Sequence, residues 1–562
     1  MQPFYILKKE MFKKINLIPG FILIFFIAVG CQISKSKMLV TRSYKSNALS
    51  GEMMRFSFDS SVLSSFYKTY PVSDSIKKEV NEFYRRRYNH TAWFKQGNLI
   101  QAVPAFYNQL LNYTLDFEDS SLNNVHLDSL IKFIQTDEQK FYSQTSNYQQ
   151  LELLLTTSYF AYAKKVYGGF IKNPSNHDWF IPRKVRNYQI LLDSLVSDNN
   201  NGKTIEPLNE YYFRLSKKLR IYRNIQKNGG FPVIVPIRQL KNGELDSTLL
   251  LVKQYLFLSG DLKENEHTLL FTDALTTAIK NFQKRMGISE NGVLDINTLA
   301  QLNISVEVRI KQMLVNMERL RWMPEEMESN YLLINIPDFK LNIVENNKKI
   351  WSMDVVVGKV VTQTNIFKGS LSRIVLNPYW VIPTSIIQNE IVPQIISDTS
   401  YLIKNNMEVL LGNKIVNPAA INWEDYIVNS PYTIRQKPGI TNALGKIKFL
   451  FPNSYSIYLH DTPVKGVFAE SKRDFSHGCI RVAEPKKLAL YLLRNNTAWS
   501  FKKLENTLET DIETGIRVSP SIPVYIVYFT SWVDNSEQLN FRNDLYNLDK
   551  KILIEFFGEQ PR

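Results

Sequence analysis

The sequence predicts a multidomain α+β protein in which a long helical region precedes a β-rich region. Before residue 330, apolar residues recur at three- and four-residue spacing, as amphipathic helices require. From residue 331 the pattern changes to short runs of β-branched and aromatic residues between turns, which is typical of strands. The 562 residues, 44% of them hydrophobic and 12% aromatic, suffice for three or four packed domains.

The net charge of +15 comes from 68 Lys and Arg against 53 Asp and Glu, and it is spread along the chain. No basic block and no nucleic-acid motif accompanies it, which argues against a nucleic-acid partner. An anionic wall polymer or a membrane surface fits the charge, and so does a diffuse excess that only solvates the protein.

Residues 1–30 are typical of a secretory signal peptide, since lysines precede an apolar run that spans residues 15–29. Pro19 and Gly20 interrupt this run, which is too short for a membrane span. Translation starts at Met1 or at Met11, and the second start would place the basic segment directly at the beginning of the signal.

The small residues that end at Cys31 resemble a lipobox, and this resemblance implies that Cys31 is lipidated. Residues 31–56 are polar and predict a flexible tether from a lipid anchor to the first domain. We therefore expect a lipoprotein of the cell envelope that faces the periplasm, on either the inner or the outer membrane. With Cys31 lipidated, Cys479 is the one thiol left, so no internal disulfide can use it.

Residues 57–245 predict a helical domain that begins with a helix after Ser73. Further helices are predicted near residues 99–115, 125–135, 149–166, 188–196 and 209–226. Aromatic and glycine motifs in this region, such as Ala92-Trp93-Phe94 and Gly229-Gly230-Phe231, resemble the scaffold domain of large L,D-transpeptidases. We expect these aromatic residues to be core.

Residues 246–305 predict a small, separate three-helix unit with a turn at Asn291-Gly292. The unit resembles the peptidoglycan-binding repeat of wall hydrolases, which implies either wall binding or a docking role within the fold. Residues 306–330 follow as a linker helix that stops at Pro324.

Residues 331–510 predict an all-β domain, interrupted at residues 384–430 by a helical and irregular insertion that we interpret as a cap. Strands are predicted at residues 331–336, 339–344, 351–357, 373–376, 447–450 and 456–459. A helix follows at residues 485–493, and residues 511–562 form a C-terminal strand and a helical tail.

Cys479 is the candidate nucleophile of this β-rich domain. A free thiol titrates near pH 8.5, so it needs a neighbouring base to react near neutrality. Two histidines lie close in sequence: His477, two residues before the cysteine, and His460, at the predicted end of a strand. An imidazole can accept the thiol proton and return it later.

Residues beside the cysteine complete the candidate pocket. Gly478 would let backbone N–H groups approach a reacting carbonyl closely. Alternation along an extended segment places Arg481 on the same side as Cys479, where it suits a carboxylate.

His460 followed, after fifteen residues, by Ser476-His477-Gly478-Cys479 resembles the signature of the L,D-transpeptidase (YkuD-type) catalytic domain. The resemblance extends to flanking motifs, among them Asn377-Pro378-Tyr379-Trp380 and Asn442-Ala443-Leu444-Gly445. It implies that Cys479 is the acylated nucleophile and His460 the base, with Ser476, His477, Gly478 and Arg481 shaping the pocket. It further implies peptidoglycan stem peptides as substrates, no cofactor, and 3-3 cross-links formed with release of D-Ala.

Four other hypotheses stay open at this point. An L,D-carboxypeptidase would resolve the same acyl-enzyme with water, and another enzyme of this kind would attach a protein to the wall. A wall-binding lipoprotein could carry a vestigial site. A zinc hydrolase would need Cys479, His460 and His477 as ligands, but no paired cysteines and no His-Glu-x-x-His pattern support it. Product analysis with mixed donors separates cross-linking from trimming.

Overall fold

The computed structural model of the chain describes residues 57–95, 97–183, 186–197, 206–235, 240, 242–427 and 430–558. The predicted signal peptide, the tether and Cys31 lie outside these residues. The mixed α+β class predicted from the sequence is confirmed, with helices in the first half and most strands in the second. None of the helices in the described part of the chain combines the length and the apolar character that crossing a membrane requires.

The described part of the N-terminal region is mostly helical and includes a short hairpin. Its helices are α1 (Ser61–Thr69), α2 (Asp74–Arg86), α3 (Ala102–Phe117), α4 (Val125–Thr136), α5 (Glu138–Tyr142), α6 (Thr145–Tyr162), α7 (Tyr188–Leu195) and α8 (Glu210–Lys227). The hairpin pairs β1 (Phe94–Lys95) with β2 (Asn98–Leu99). In α6 the buried Glu152 carboxylate accepts hydrogen bonds from the backbone N–H groups of Ala92 (2.7 Å) and Trp93 (3.0 Å). Trp93 is fully buried, so this aromatic motif is core as predicted.

The small helical unit contains α9 (Leu249–Leu258), α10 (Asp273–Met286) and α11 (Ile296–Leu302). Gly292 turns the chain between α10 and α11 with φ +73°, a conformation that glycine adopts without a steric penalty. Asp295 caps α11, because its carboxylate accepts the backbone N–H of Thr298 at 2.8 Å. This unit is attached firmly to the C-terminal part of the chain: the buried Arg285 donates to the carbonyl oxygen of Leu539 at 2.6 Å.

Helix α12 (Val306–Trp322), at the position of the predicted linker helix, is buried along most of its length. It packs against α8 and against the C-terminal helix. Polar contacts hold it as well, since Arg319 pairs with Asp549 at 2.5 Å and Asn209 donates to the carbonyl oxygen of Leu320 at 2.5 Å. This helix therefore belongs to a core that the helical and β-rich regions share.

The C-terminal half carries most of the strands. They are β3 (Tyr331–Asn335), β4 (Lys340–Glu345), β5 (Lys348–Gly358), β6 (Lys368–Leu376), β7 (Trp380–Val381), β8 (Met407–Leu411), β9 (Lys414–Val416), β10 (Tyr432–Gln436), β11 (Ile447–Leu450), β12 (Leu459–His460), β13 (Asp474–Ser476), β14 (Ile480–Val482), β15 (Thr514–Val527), β16 (Ser531–Val533) and β17 (Leu539–Phe541). Its α-helices are α13 (Thr384–Ile386), α14 (Val392–Ser397), α15 (Tyr401–Lys404), α16 (Pro485–Leu493), α17 (Phe501–Leu508) and α18 (Leu548–Phe557).

Nine of these strands form one sheet in the order β13-β5-β14-β12-β11-β6-β15-β3-β4, and β5 also pairs with β4. The sheet therefore curls back on itself. Strand β15 lies between β6 and β3, so the C-terminal segment is an internal part of this sheet. The predicted strand at residues 456–459 is shorter than expected: only Leu459 and His460 pair, because Ser456 has φ +56° and leaves the extended conformation.

Residues 380–436 form a second, smaller body that we call the capping subdomain. Strands β7, β10, β8 and β9 make a four-stranded sheet, which covers a separate apolar cluster that includes Ile387, Ile391, Val409 and Ile434. The prediction of a purely helical and irregular insertion is wrong in this respect. The hairpin between β8 and β9 turns at Gly412-Asn413, where Gly412 has φ +60°. A glycine–asparagine pair between apolar runs signals such a hairpin.

Candidate active site

The segment Ser476–Cys479 is a tight loop between β13 and β14, two strands that both pair with β5. The serine hydroxyl spans the loop: it donates to the carbonyl oxygen of Cys479 at 2.5 Å and accepts the N–H of Gly478 at 3.1 Å. Gly478 has φ +108°, a conformation that strains any residue with a side chain. Its N–H already donates to the Ser476 hydroxyl. The backbone conformation, and not an N–H that is free to bind a reacting carbonyl, therefore explains why this residue is glycine.

A second loop, which contains Thr364, holds the first loop in place through hydrogen bonds. Thr364 Oγ1 donates to the carbonyl oxygen of Gly478 at 2.8 Å and accepts the N–H of Gly358 at 2.9 Å. The hydroxyl of Tyr546, far along the chain, donates to the carbonyl oxygen of Gly358 at 2.6 Å. Thr364 and Tyr546 are positioning residues that our sequence reasoning missed, and no local pattern connects them to the cysteine.

The Cys479 thiol is half-buried, and its Sγ lies 3.7 Å from the carbonyl oxygen of Ser456, which accepts from it. Burial raises the pKa of the thiol, and hydrogen bonds from Tyr458 and the positive charge of Lys448 oppose this only in part. At neutral pH the thiol is therefore protonated, and its reaction depends on a base.

His460 is buried on β12, which runs parallel to β14 beside the cysteine. Burial lowers the pKa of its ring to about 3, and the charges of Arg481 and Lys448 add to this effect. Nδ1 lies 2.6 Å from the carbonyl oxygen of Asp461, which can only accept. The neutral ring therefore carries its proton on Nδ1, and Nε2 is the basic nitrogen. Hydrogen bonds among the described residues do not include one between this ring and the Cys479 thiol.

The motif Asn442-Ala443-Leu444-Gly445 packs against the residue that orients His460. The Asp461 carboxylate accepts the backbone N–H groups of Thr462 at 2.7 Å and Lys446 at 2.9 Å. Gly445 has φ +61°, and a Cβ atom there would lie 2.5 Å from this carboxylate. The glycine is required because Asp461 occupies the space that a side chain would need.

His477 contacts the capping subdomain. Its Nε2 lies 2.6 Å from Oε1 of Glu390, and the two side chains are 38% and 51% exposed. Glu390 sits on a π-helical turn, Ile387–Ile391, a type of turn that often occurs at functional sites. The structure thus gives the two histidines different surroundings, with His460 inside the sheet and His477 at its boundary with the cap.

Lys448, His460 and Arg481 form what we call the basic row. Lys448 on β11 lies directly opposite His460, and His460 lies directly opposite Arg481. Directly opposite residues project from the same face of a sheet. Lys448 Nζ lies 3.9 Å from the centroid of the Tyr458 ring, which in turn contacts the His460 ring at 5.7 Å.

Sequence reasoning missed Lys448 and Tyr458. Alternation along the segment that ends at His460 could have indicated Tyr458, but Lys448 depends on a register between strands. Within the described ranges, no group of three or more His, Cys, Asp and Glu side chains is arranged to hold a metal ion.

Three family models match separate parts of the chain. Residues 329–508 match the L,D-transpeptidase catalytic domain, residues 78–219 match the scaffold domain, and residues 249–302 match the "Putative peptidoglycan binding domain". These matches confirm the family resemblance predicted from the motifs.

The chain is also 35% identical over 251 residues to a Haemophilus influenzae protein named "Putative L,D-transpeptidase". The match covers 44% of this chain and 50% of the relative, so the chain spans about half the length of that curated relative. Two solved L,D-transpeptidase structures were compared with the chain. The one from Xylanimonas cellulosilytica is 13% identical, covers 52% of this chain and 99% of its own, and has a TM-score of 0.18. The one from Stackebrandtia nassauensis is 15% identical, covers 52% and 97%, and has a TM-score of 0.22. TM-scores this low support no statement about the fold.

Proposed function

We propose that this chain, whose residues 329–508 belong to the L,D-transpeptidase catalytic domain family, cross-links peptidoglycan through a thioester on Cys479. The donor is a tetrapeptide stem that loses its terminal D-Ala, and the product is a 3-3 cross-link. One observation carries the proposal: a half-buried thiol lies on a tight loop whose following strand pairs with the strand of a buried, neutral histidine.

Acylation begins with a neutral pair, because the thiol pKa is raised and the His460 pKa is lowered to about 3. The thiol leaves the Ser456 carbonyl oxygen, His460 Nε2 takes its proton, and the sulfur attacks the donor carbonyl carbon. The C–N bond to D-Ala breaks, and the imidazolium returns the proton to the leaving amine. A thioester on Cys479 and free D-Ala are the products.

The thioester is then resolved by the same groups, acting in the reverse order. The side-chain amine of an acceptor stem attacks the thioester, His460 takes a proton from this amine, and the sulfur leaves and recovers the proton. A thioester reacts readily with amines, and a closed capping subdomain would hold water away from it. If water resolves the thioester instead, the enzyme trims stems and forms no cross-links.

The nucleophile is tested with the full-length protein in detergent and a disaccharide tetrapeptide, by mass spectrometry of the intact protein. Wild type gains the mass of the donor minus D-Ala, whereas Cys479→Ala gains none. Cys31→Ser is the matched control, because it removes the other cysteine and keeps the adduct. An adduct on Cys479→Ala would disprove the assignment.

The reaction type is tested by product analysis with mixed donors. Cross-linked dimers support transpeptidation, whereas tripeptide monomers alone would show that the enzyme is a carboxypeptidase.

We further propose that the chain is anchored to a membrane through lipid on Cys31 and faces the periplasm. This proposal is supported by the sequence of residues 1–31. Metabolic labelling with a palmitate analogue should mark wild type and Cys479→Ala but not Cys31→Ser, and equal labelling of all three would refute the anchor.

A further inference from the structure

The basic row places a lysine and an arginine on either side of the proposed base. Lys448, His460 and Arg481 lie on three neighbouring strands at directly opposite positions. Side chains in such positions are about 5 Å apart at Cβ. Cys479 precedes Arg481 by two residues, so alternation brings the thiol to the same face. Any group that the row binds will lie close to the reacting sulfur.

No described carboxylate lies close enough to this row to form an ion pair with it. Neither Lys448 nor Arg481 forms an ion pair among them, and the buried Nε of Arg481 has no hydrogen-bond partner there. Glu513 attracts Lys448 electrostatically without forming an ion pair with it. Lys448 instead places its ammonium over the ring of Tyr458. Two partly buried cations without counterions cost free energy, and an incoming anion removes this cost.

We propose that Lys448 and Arg481 bind a carboxylate of the donor peptide and thereby select which stems acylate Cys479. This inference rests on the proposed function, since it concerns the same substrate. In a tetrapeptide donor, the residue that leaves carries a free carboxylate one residue beyond the scissile bond. Consecutive Cα atoms are about 3.8 Å apart, so this carboxylate lies within reach of a row beside the sulfur. A donor extended by one residue presents a neutral amide there.

Two carboxylates of the stem share this chemistry. One is the terminal carboxylate of the leaving residue, and the other is present in stems whose diamino acid, which provides the reacting carbonyl, has a carboxylate on its side chain. Three synthetic donors separate them: the tetrapeptide acid, the same peptide with a terminal carboxamide, and the tetrapeptide acid with lysine in place of the diamino acid.

The test measures kcat/KM for acylation of the full-length protein with each donor, by mass spectrometry at timed intervals. Wild type should prefer the complete acid over one of the modified donors by about 10- to 100-fold, the range for a hydrogen bond to a charged group. Lys448→Met should lose most of this preference, and Lys448→Arg should retain it. Lys349→Met, at the far exposed end of β5, is the matched control for the loss of one positive charge.

Each outcome has one meaning. Loss of preference against the carboxamide identifies the terminal carboxylate, and loss of preference against the lysine donor identifies the side-chain carboxylate. If Lys448→Met slows all three donors equally, the ammonium acts on the thiol and the proposal is wrong. Equal rates for all donors in wild type would also overturn it. No acylation of wild type by any donor would instead refute the proposed function, and Lys448→Arg shows whether a loss in Lys448→Met reflects misfolding.

Discussion

The nine-stranded sheet and the capping subdomain are stabilised in different ways. The sheet shares one continuous apolar core with the helical region and with the small three-helix unit. The capping subdomain has its own cluster of ten buried apolar residues, separate from that core. A part of the molecule with a separate core can unfold locally as a unit of its own.

The two histidines near Cys479 follow the same division. His460 lies within the sheet and is buried, whereas His477 is partly exposed and contacts Glu390 of the capping subdomain. The proposed nucleophile and base therefore lie in the sheet, whereas His477 lies at its contact with the capping subdomain. The small unit that resembles a peptidoglycan-binding repeat belongs with the sheet, since Arg285 joins it to the C-terminal segment.

The largest expected effect separates the two histidines. His460→Ala should lower kcat/KM for acylation by about 100- to 10,000-fold, the usual contribution of a general base. His477→Ala should lower it by less than about 10-fold, because an exposed pair with Glu390 contributes little. Timed acylation assays measure both, and a larger loss for His477→Ala would reverse the roles that we assign.

Core substitutions test whether the two bodies unfold separately. Ile374→Ala in β6 removes a fully buried side chain from the sheet and should lower the free energy of unfolding by about 2–5 kcal/mol. Ile434→Ala in β10 creates an equivalent cavity in the capping subdomain. It should raise hydrogen exchange of residues 380–436 and leave the main denaturant transition in place. A shift of that transition by the same amount in both variants would show one cooperative unit.

The pH dependence of acylation and of alkylation tests the protonation states of His460 and Cys479. Because the His460 pKa is lowered from 6.5 to about 3, the ring stays neutral well below pH 6.5, and acylation should show no acid limb near that pH. Because the Cys479 pKa is raised, thiolate forms only at higher pH, so alkylation by iodoacetamide should still be increasing at pH 9.0. The alkylation is measured in a Cys31→Ser variant, so that Cys479 is the one thiol that can react. An acid limb near pH 6.5 would mean that His460 is accessible to solvent.

The smallest effect concerns the contact between the sheet and the cap. Glu390→Gln removes the charge that faces His477, and such exposed pairs are worth less than about 1 kcal/mol. We expect KM for the donor to change by less than about 5-fold and kcat to remain unchanged. Added salt should reproduce the effect in wild type, since exposed pairs are screened. A large fall in kcat would place Glu390 in the chemistry.

Much of the fold could be predicted, because its signals are local. The helices α4, α7 and α8 lie within one residue or so of their predicted ends, since apolar periodicity and capping asparagines mark them. The strands of the capping subdomain were missed, although Gly412 marks a hairpin there. The central place of β15 could not be predicted, because a strand's neighbours depend on contacts between distant segments.

The amino-acid sequence by itself predicted the order of the domains, the resemblance to a family and the pairing of Cys479 with His460 as candidates, because these depend on residue types at fixed spacing. Only the tertiary structure decided that His460 is buried and neutral, that His477 faces the cap, and that Lys448 lies opposite His460. Burial, charge environment and strand register arise when distant segments pack together. A local motif therefore cannot predict them.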